Sequence, residues 1–344
     1  MSNPSVKWPR EALDPFVEML TPRFYGGSPT AFGAPFVERS SDLAGYDVAF
    51  LGIPWQSPPA PGRENSIVYQ GTMMAPLRFR SNSIKYGGYL PELDIHVFER
   101  LKFCDYGNAD VVFDVPTTMD MVASKVGEII DAGCIPLTLG GNGPAAANPV
   151  LMAIAERSGG PVAVVNFDAH HDNVVLSRDE LADSKSAPWG EGWANLIFDI
   201  PNVAPELFQH VGLRGPRNDR DSVKRFVDRG VPHDQVYTYR EYAAARRTGF
   251  EEWAQRIAER TGNAAKIWIA IDPDVLDISV APHGEALGLH MEEMVEILRL
   301  VGRAAGRSRL GGVTFMAMPP DAVPVHWMCV YMLLYAFAGM LEAD

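Results

Sequence analysis

Cysteine is scarce in this chain of 344 residues, which contains only Cys104, Cys134 and Cys329 at wide spacings. An odd number without a paired motif excludes a disulfide scaffold and indicates a reducing compartment, so we expect a cytoplasmic protein. Cys134 and Cys329 lie in apolar runs and are predicted to be inert buried thiols. The N-terminal residues also lack the apolar stretch of a signal peptide, and no targeting is expected.

Positive charge is also in short supply, because 30 Lys and Arg residues face 43 Asp and Glu residues and give a net charge of −13. Nucleic acid and anionic membrane surfaces bind basic faces, so we expect neither as a partner. Long apolar runs are few, and the most apolar late stretch, residues 328–340, is too short to cross a bilayer. It predicts a buried final helix.

Two parts of unequal length are predicted. Residues 1–45 are rich in Pro, Gly and Phe without periodicity and predict an extended N-terminal arm, whereas residues 46–344 predict one α/β domain. From Asp47 onward, β-prone runs alternate with helical stretches, which is typical of a doubly wound, mostly parallel sheet with helices on both faces. The predicted strands are 48–53, 134–139, 162–167 and 266–271, with weaker candidates at 208–213, 235–238 and 310–315; the predicted helices are 117–132, 148–156, 221–229, 251–260 and 291–303.

Two acidic clusters follow predicted strands. Asp168, His170 and Asp172 alternate in the first, so a pleated strand would place all three on one face. Asp272 and Asp274 repeat that spacing in the second cluster. Since ligands of parallel sheets bind beyond the carboxyl ends of the strands, we expect both clusters to share one crevice.

Carboxylates packed this closely repel one another, and a divalent cation is the usual compensation. Oxygen ligands with an occasional imidazole suit Mn²⁺ or Mg²⁺, with Ni²⁺, Co²⁺ or Fe²⁺ as alternatives. Either cluster alone is more typical of a polar loop with capping carboxylates. The two together favour a metal site.

At these residues the chain resembles the ureohydrolase family of arginases, agmatinases and guanidino-acid hydrolases, from about Asp47 to its end. Members carry Gly-Gly-Asp-His-Ser, Asp-Ala-His-x-Asp and Ser-x-Asp-x-Asp-x-x-Asp-Pro in this order. The corresponding segments here are 140–144, 168–172 and 270–277. Weaker matches are Leu51-Gly52-Ile53-Pro54, the substrate-side pattern from Gly71 to Arg80, and Val211-Gly212-Leu213-Arg214-Gly215.

The resemblance implies an arginase-like fold and a site for Mn²⁺ or Ni²⁺. Asp168 and Asp272 would bridge two ions in such a site. His170 and Asp274 would complete the ligands of one ion, and Asp172 would bind the other.

Three positions depart from the family pattern. The second ion needs the His of Gly-Gly-Asp-His-Ser, but this chain has Gly143 there. Trp189 best matches the position where a family His transfers protons, with Glu191 as the alternative register, and Met316 stands where a family Glu binds the guanidinium group. We therefore assign no catalytic residue. We expect at most one bound metal ion, and the alternative is that no ion binds.

Other histidines are weaker candidates for the missing ligand. His283 follows Ala281-Pro282 and resembles a substrate-side loop of the family, so Trp189, His283 and Met316 form the predicted substrate side. A loop or interface role suits His283 better than metal binding, and the alternation points His171 away from the cluster.

The resemblance favours a catalytically degenerate subunit that supports a competent paralogue. The family assembles as trimers and hexamers and includes two-subunit hydrolases of guanidines and biguanides, such as metformin hydrolase. Assembly of this chain with copies of itself, as a homo-oligomer, is the alternative to a complex with a paralogue. The alternatives are an active amidine hydrolase with an altered, mononuclear site, and a sensor that binds guanidino compounds without turnover.

Overall fold

A parallel sheet organises the domain. The computed structural model describes residues 24–25, 28–56, 71–112, 114–174, 192–282 and 284–344. Within these residues, eight strands form one sheet in which every neighbouring pair is parallel. The order across the sheet is β6-β5-β4-β7-β8-β3-β1-β2. In chain order the strands are β1 (Val48–Ile53), β2 (Phe103–Asn108), β3 (Ile135–Gly140), β4 (Val162–Phe167), β5 (Val203–Leu213), β6 (Val236–Thr238), β7 (Lys266–Ile271) and β8 (Leu310–Phe315).

Helices cover both faces of this sheet, as predicted. Side chains of a strand alternate between the faces, so Val165 and Phe167 enter one apolar core while Val162 and Val164 enter the other. The helices are α1 (Ala75–Ser83), α2 (Val97–Arg100), α3 (Val115–Asp131), α4 (Pro144–Arg157), α5 (Trp193–Leu196), α6 (Ser222–Asp228), α7 (Tyr239–Thr248), α8 (Phe250–Glu259), α9 (Met291–Arg309) and α10 (Val323–Glu342).

Local signals fix several helix starts. Asp114 accepts a hydrogen bond from the Thr117 amide at the start of α3, and Thr238 forms a capping box with Glu241 at the start of α7. Such caps satisfy amides that lack partners within the first turn, and each stabilises the helix by roughly 1 kcal/mol.

The last helix is buried, as predicted, but it is longer than the predicted stretch. α10 has 20 residues and a mean hydropathy of 1.4, so its length and composition would allow it to cross a membrane. However, 67% of its apolar window is buried inside the protein. It packs closely on α9, where a Cβ atom at Gly302 or Gly339 would overlap the facing helix backbone. This burial is typical of a core helix.

The end of the predicted arm packs against the domain. Ala31 and Leu43 are buried, and the Val37 amide donates to the Asp105 carbonyl on β2. Residues 1–23 lie outside the described part of the chain. The boundary at residue 45 stays a prediction.

Candidate metal centre

The acidic clusters meet at the carboxyl ends of β4 and β7, which are adjacent strands. β4 ends at Phe167, and the Asp272 amide donates to the Phe167 carbonyl. The predicted shared crevice is therefore present. The prediction that a pleated strand places Asp168, His170 and Asp172 on one face is wrong, because residues 168–172 form irregular structure and not a strand.

Three of the predicted ligands converge on one point. Ligand atoms of Asp168, His170 and Asp274 all lie within 4.8 Å of one another, and all three residues are buried. His170 Nδ1 is 2.9 Å from Asp274 Oδ2 and 3.8 Å from Asp168 Oδ1. This arrangement would hold one divalent ion.

The backbone aims these carboxylates. Asp168 Oδ1 accepts from the His170 amide at 2.7 Å, and Asp274 Oδ1 accepts from the Ala169 amide at 3.2 Å. Asp272 Oδ1 accepts from the Asp274 amide at 2.9 Å. These bonds hold both loops in register with each other.

Electrostatics favours a cation here. Burial raises the pKa of Asp168 well above its usual range, and the charges of Asp172, Asp274 and Asp272 raise it further. Burial and the charge of Asp274 likewise raise the pKa of Asp272. Burial is the largest single influence on the pKa of His170 and lowers it, but the hydrogen bond to Asp274 and the charges of Asp274 and Asp172 together raise it, and the net shift is upward. The raised pKa values show that the negative charges of these carboxylates are poorly compensated, and a bound metal ion would compensate them.

One buried atom fits the metal directly. Asp168 Oδ2 has no hydrogen-bond partner among the residues that the structure describes. A buried carboxylate oxygen without a partner is costly, and a hard divalent cation would satisfy it. The oxygen and imidazole donors of Asp168, His170 and Asp274 therefore fit Mn²⁺ or Ni²⁺.

The other two predicted ligands lie nearby. Asp172 has a φ of 40°, and its Oδ2 accepts a hydrogen bond of 3.0 Å from Trp193 Nε1. Asp272 and Asp172 are close enough to shift the pKa of Asp168, yet neither belongs to the converging triad. Their roles as ligands stay predictions.

The neighbouring strands β8 and β3 contribute a different surface. Gly143 caps α4 with a φ of 68°, and Met316 is 2% exposed among apolar side chains. The Ala317 amide donates to the Gly141 carbonyl, which joins the two loops. The predicted substrate-side residues Trp189 and His283 lie outside the described residues.

The structure also shows the contacts of two further histidines and of Arg80. His171 Nε2 lies 3.6 Å from Asp219 Oδ2, and its Nδ1 accepts a hydrogen bond from the Asn173 amide. His171 does not belong to the converging triad, and His290 caps α9 with Glu293. The guanidinium of Arg80 forms a buried ion pair with Asp105, and the substrate-side role of its segment stays a prediction.

The predicted burial of Cys134 and Cys329 is confirmed. All three cysteines are free and buried. Burial raises the pKa of Cys104 to about 12 and that of Cys134 to about 11, which keeps both thiols protonated.

Two residues near the triad escaped the sequence patterns. Glu285 Oε1 lies 3.2 Å from His170 Nε2, and Arg217 Nη1 donates to the same oxygen at 3.1 Å. A short motif could not reveal the pair of Glu285 and His170, since 115 positions separate them. The Ala281-Pro282 loop just before Glu285 was the available signal.

The fold and the triad define an α/β protein with a group of carboxylates and an imidazole that could hold a metal ion, and comparison with known proteins identifies its family. The sequence matches the Arginase family over residues 46–320, and the chain belongs to that family. The agmatinase of Gallus gallus is 26% identical over 262 residues, covering 74% of this chain and 70% of that protein. The guanidinobutyrase of Pseudomonas aeruginosa is 29% identical over 296 residues, covering 81% of each.

Solved structures agree on the fold. The proclavaminate amidinohydrolase of Streptomyces clavuligerus superposes with a TM-score of 0.75 at 24% identity, covering 93% of this chain and all (100%) of that one. A formiminoglutamase of Trypanosoma cruzi, solved with Mn²⁺, gives 0.72 at 19% identity, covering 92% and 100%. The predicted arginase-like fold is confirmed.

Proposed function

We propose that this chain is a catalytically degenerate subunit of a hetero-oligomeric, cytoplasmic metallohydrolase. A competent paralogue would cleave the C–N bonds of guanidino or biguanide compounds, as in a hydrolase of the metformin type. A trimer or hexamer is the expected assembly. The related agmatinase and guanidinobutyrase support the class of substrate.

The observation that carries the proposal is the absence of a carboxylate or imidazole from residues 141–143 and 316–318, which follow β3 and β8. Gly143 has no side chain to bind an ion, and Met316 offers a guanidinium group no charge partner. A buried guanidinium without a carboxylate is strongly disfavoured. A divalent ion bound at Asp168, His170 and Asp274 would supply Lewis acidity, but a second ion would lack its histidine.

An exposed apolar surface supports an assembly. Met73, Met74 and Leu77 are 51%, 45% and 45% exposed at the start of α1. Adjacent apolar side chains of this kind are typical of protein interfaces. We therefore expect a partner subunit to cover this surface.

Purification and co-expression test the proposal together. The chain alone, loaded with Mn²⁺ or Ni²⁺, should release neither urea nor amine from guanidino or biguanide compounds, whereas a complex with a competent ureohydrolase paralogue should do so. Turnover by the isolated chain at enzymatic rates would contradict the proposal.

A pair of surface variants tests the interface within that experiment. Leu77→Asp should weaken recovery of the complex in a pull-down, because it places a charge within the apolar surface. Met121→Asp on α3 is the matched control, since Met121 is also an exposed apolar residue (38%). Equal recovery of both variants would place the interface elsewhere.

The assembled triad supports a second candidate, an active amidine hydrolase with a mononuclear site. Asp168, His170 and Asp274 keep one complete cluster of ligands. This candidate requires turnover with one bound ion per chain, which metal analysis of an active, homogeneous preparation would measure. Turnover that needs two ions per chain would exclude it.

A further inference from the structure

The imidazole of His170 is engaged at both nitrogens. Nδ1 faces Asp274 Oδ2 at 2.9 Å, and Nε2 faces Glu285 Oε1 at 3.2 Å on the opposite edge of the ring. The side chain is only 9% exposed, so water has little access to compete for either nitrogen. A ring held at two opposite atoms has a fixed orientation.

The carboxylate of Glu285 is itself held in place. Arg217 Nη1 donates to Oε1, the same oxygen that faces His170. The side chain of Glu285 is 24% exposed, compared with 39% for Arg217, so the arginine lies on the solvent side of this contact. Arg217 therefore limits the freedom of the Glu285 carboxylate to turn away.

The backbone of Glu285 is tied to the ligand loop. Arg214 Nη2 donates to the Glu285 carbonyl at 3.0 Å and to the Asp274 carbonyl at 2.7 Å. The Ile278 amide also donates to the Glu285 carbonyl, at 3.1 Å. One buried guanidinium thus sets the spacing between the residue that holds His170 and the residue that shares its metal.

We propose that Glu285 is a positioning residue that fixes the tautomer and orientation of His170, so that Nδ1 is presented to the metal ion. A histidine ligand whose other nitrogen donates to a carboxylate has a fixed tautomer and a more basic ligand atom, and losing such a carboxylate typically weakens metal binding by 10- to 100-fold. The inference rests on the metal-binding part of the proposed function and is independent of catalytic inactivity.

Manganese binding to the full-length chain tests the proposal. Free Mn²⁺ is measured by electron paramagnetic resonance during titration, which gives a Kd without any activity assay. Glu285→Ala should raise the Kd by about 10- to 100-fold. Glu285→Gln should recover most of the loss, because its amide oxygen still accepts from Nε2. Arg217→Gln should have a smaller effect than Glu285→Ala, since it only loosens the carboxylate.

A second His–Glu pair supplies the matched control. His96 Nε2 lies 3.6 Å from Glu99 Oε1 on the surface, away from the triad. Glu99→Ala removes the same kind of partner and should leave the Kd of Mn²⁺ unchanged.

The Mn²⁺ affinities of these variants support or overturn the positioning role of Glu285. A Kd for Glu285→Ala within about twofold of the unaltered chain overturns the proposal. If Glu285→Ala does not fold, Glu285→Gln and Arg217→Gln decide through the absorption spectrum of bound Co²⁺, which should change with the orientation of His170; unchanged spectra in both overturn the proposal. Failure of the unaltered chain to bind Mn²⁺ also overturns it, whereas the proposed subunit role fails separately, by turnover of the isolated chain.

Discussion

The two sides of the crevice lie on neighbouring pairs of strands but have opposite chemistry. The acidic side, residues 168–172 and 272–274 after β4 and β7, keeps buried carboxylates and an imidazole within ligand distance of each other. The apolar side, residues 141–143 and 316–318 after β3 and β8, offers two glycines, buried methionines and the buried amide of Asn142, and it contains no carboxylate or imidazole. Backbone hydrogen bonds stabilise both sides in the same way, because amide groups of the loops on each side donate to carbonyl groups of a neighbouring strand or loop.

This difference separates the requirements of the fold from those of the reaction. The Ala317 amide still donates to the Gly141 carbonyl, and the Met316 amide still donates to the Ile271 carbonyl. These backbone bonds do not depend on the side chains that the family uses for chemistry. The apolar side would therefore keep its shape after its ligands were lost.

The largest expected effect concerns the support of the acidic side. Arg214→Met should lower the free energy of unfolding by about 4 kcal/mol, because the buried guanidinium donates to several carbonyl groups that would lose their partner. Urea denaturation measures the change. Arg240→Met, at an exposed arginine, is the control and should change stability by less than about 0.5 kcal/mol. If Arg214→Met lowers the free energy of unfolding by less than about 1 kcal/mol, the loops keep their structure without the hydrogen bonds of Arg214.

A charge on the apolar side would break the comparison. Met316→Glu should cost about 3 kcal/mol at pH 7, because it buries a carboxylate without a partner. Burial raises the folded pKa of such a carboxyl above its unfolded value near 4.3, so the cost is full above the folded pKa and shrinks as the pH falls. Melting temperatures of Met316→Glu and the neutral Met316→Gln across pH 5–8 measure the difference. Equal stability at pH 7 would mean that this side accepts charge.

Loss of a predicted ligand tests the acidic side directly. Asp274→Ala should weaken Mn²⁺ binding at least about 100-fold, equivalent to about 2.8 kcal/mol, because it removes an oxygen that converges with Asp168 and His170. Titration calorimetry measures the affinity. Met316→Leu on the apolar side should bind Mn²⁺ as the unaltered chain does. Equal losses in both variants would place the ion between the two sides.

The sequence predicted the strands that carry the site better than the contacts around it. The apolar, β-branched runs of β1, β4, β7 and β8 were predicted with their observed bounds. β2 was missed because it contains Asp105, whose burial depends on Arg80. No local pattern shows that a distant arginine neutralises that carboxylate.

The same limit applies to the metal centre. Asp168, His170 and Asp274 were predictable because each follows a strand of a parallel sheet. The link between Glu285 and His170, in contrast, arises from the packing of separate loops. Asp172 was predicted to alternate with its neighbours along extended chain, but its φ of 40° departs from extended backbone.

The smallest expected effect concerns a buried histidine behind the apolar side. His326 Nε2 donates to the Pro319 carbonyl at 2.9 Å, and burial lowers the pKa of this imidazole below its usual value near 6.5. Below that value the unfolded chain binds a proton that the folded chain does not, so stability falls as the pH drops, by at most about 1.4 kcal/mol per pH unit.

His326→Gln should therefore reduce the slope of stability against pH between pH 6.5 and 5.5, measured by urea denaturation. The charges of Arg78 and Asp321 act on His326 in opposite directions, and neither outweighs its burial. An unchanged slope in His326→Gln would mean that this imidazole accepts a proton in the folded protein. The region behind the apolar side would then carry a charge, and the two sides of the crevice would differ less than their side chains indicate.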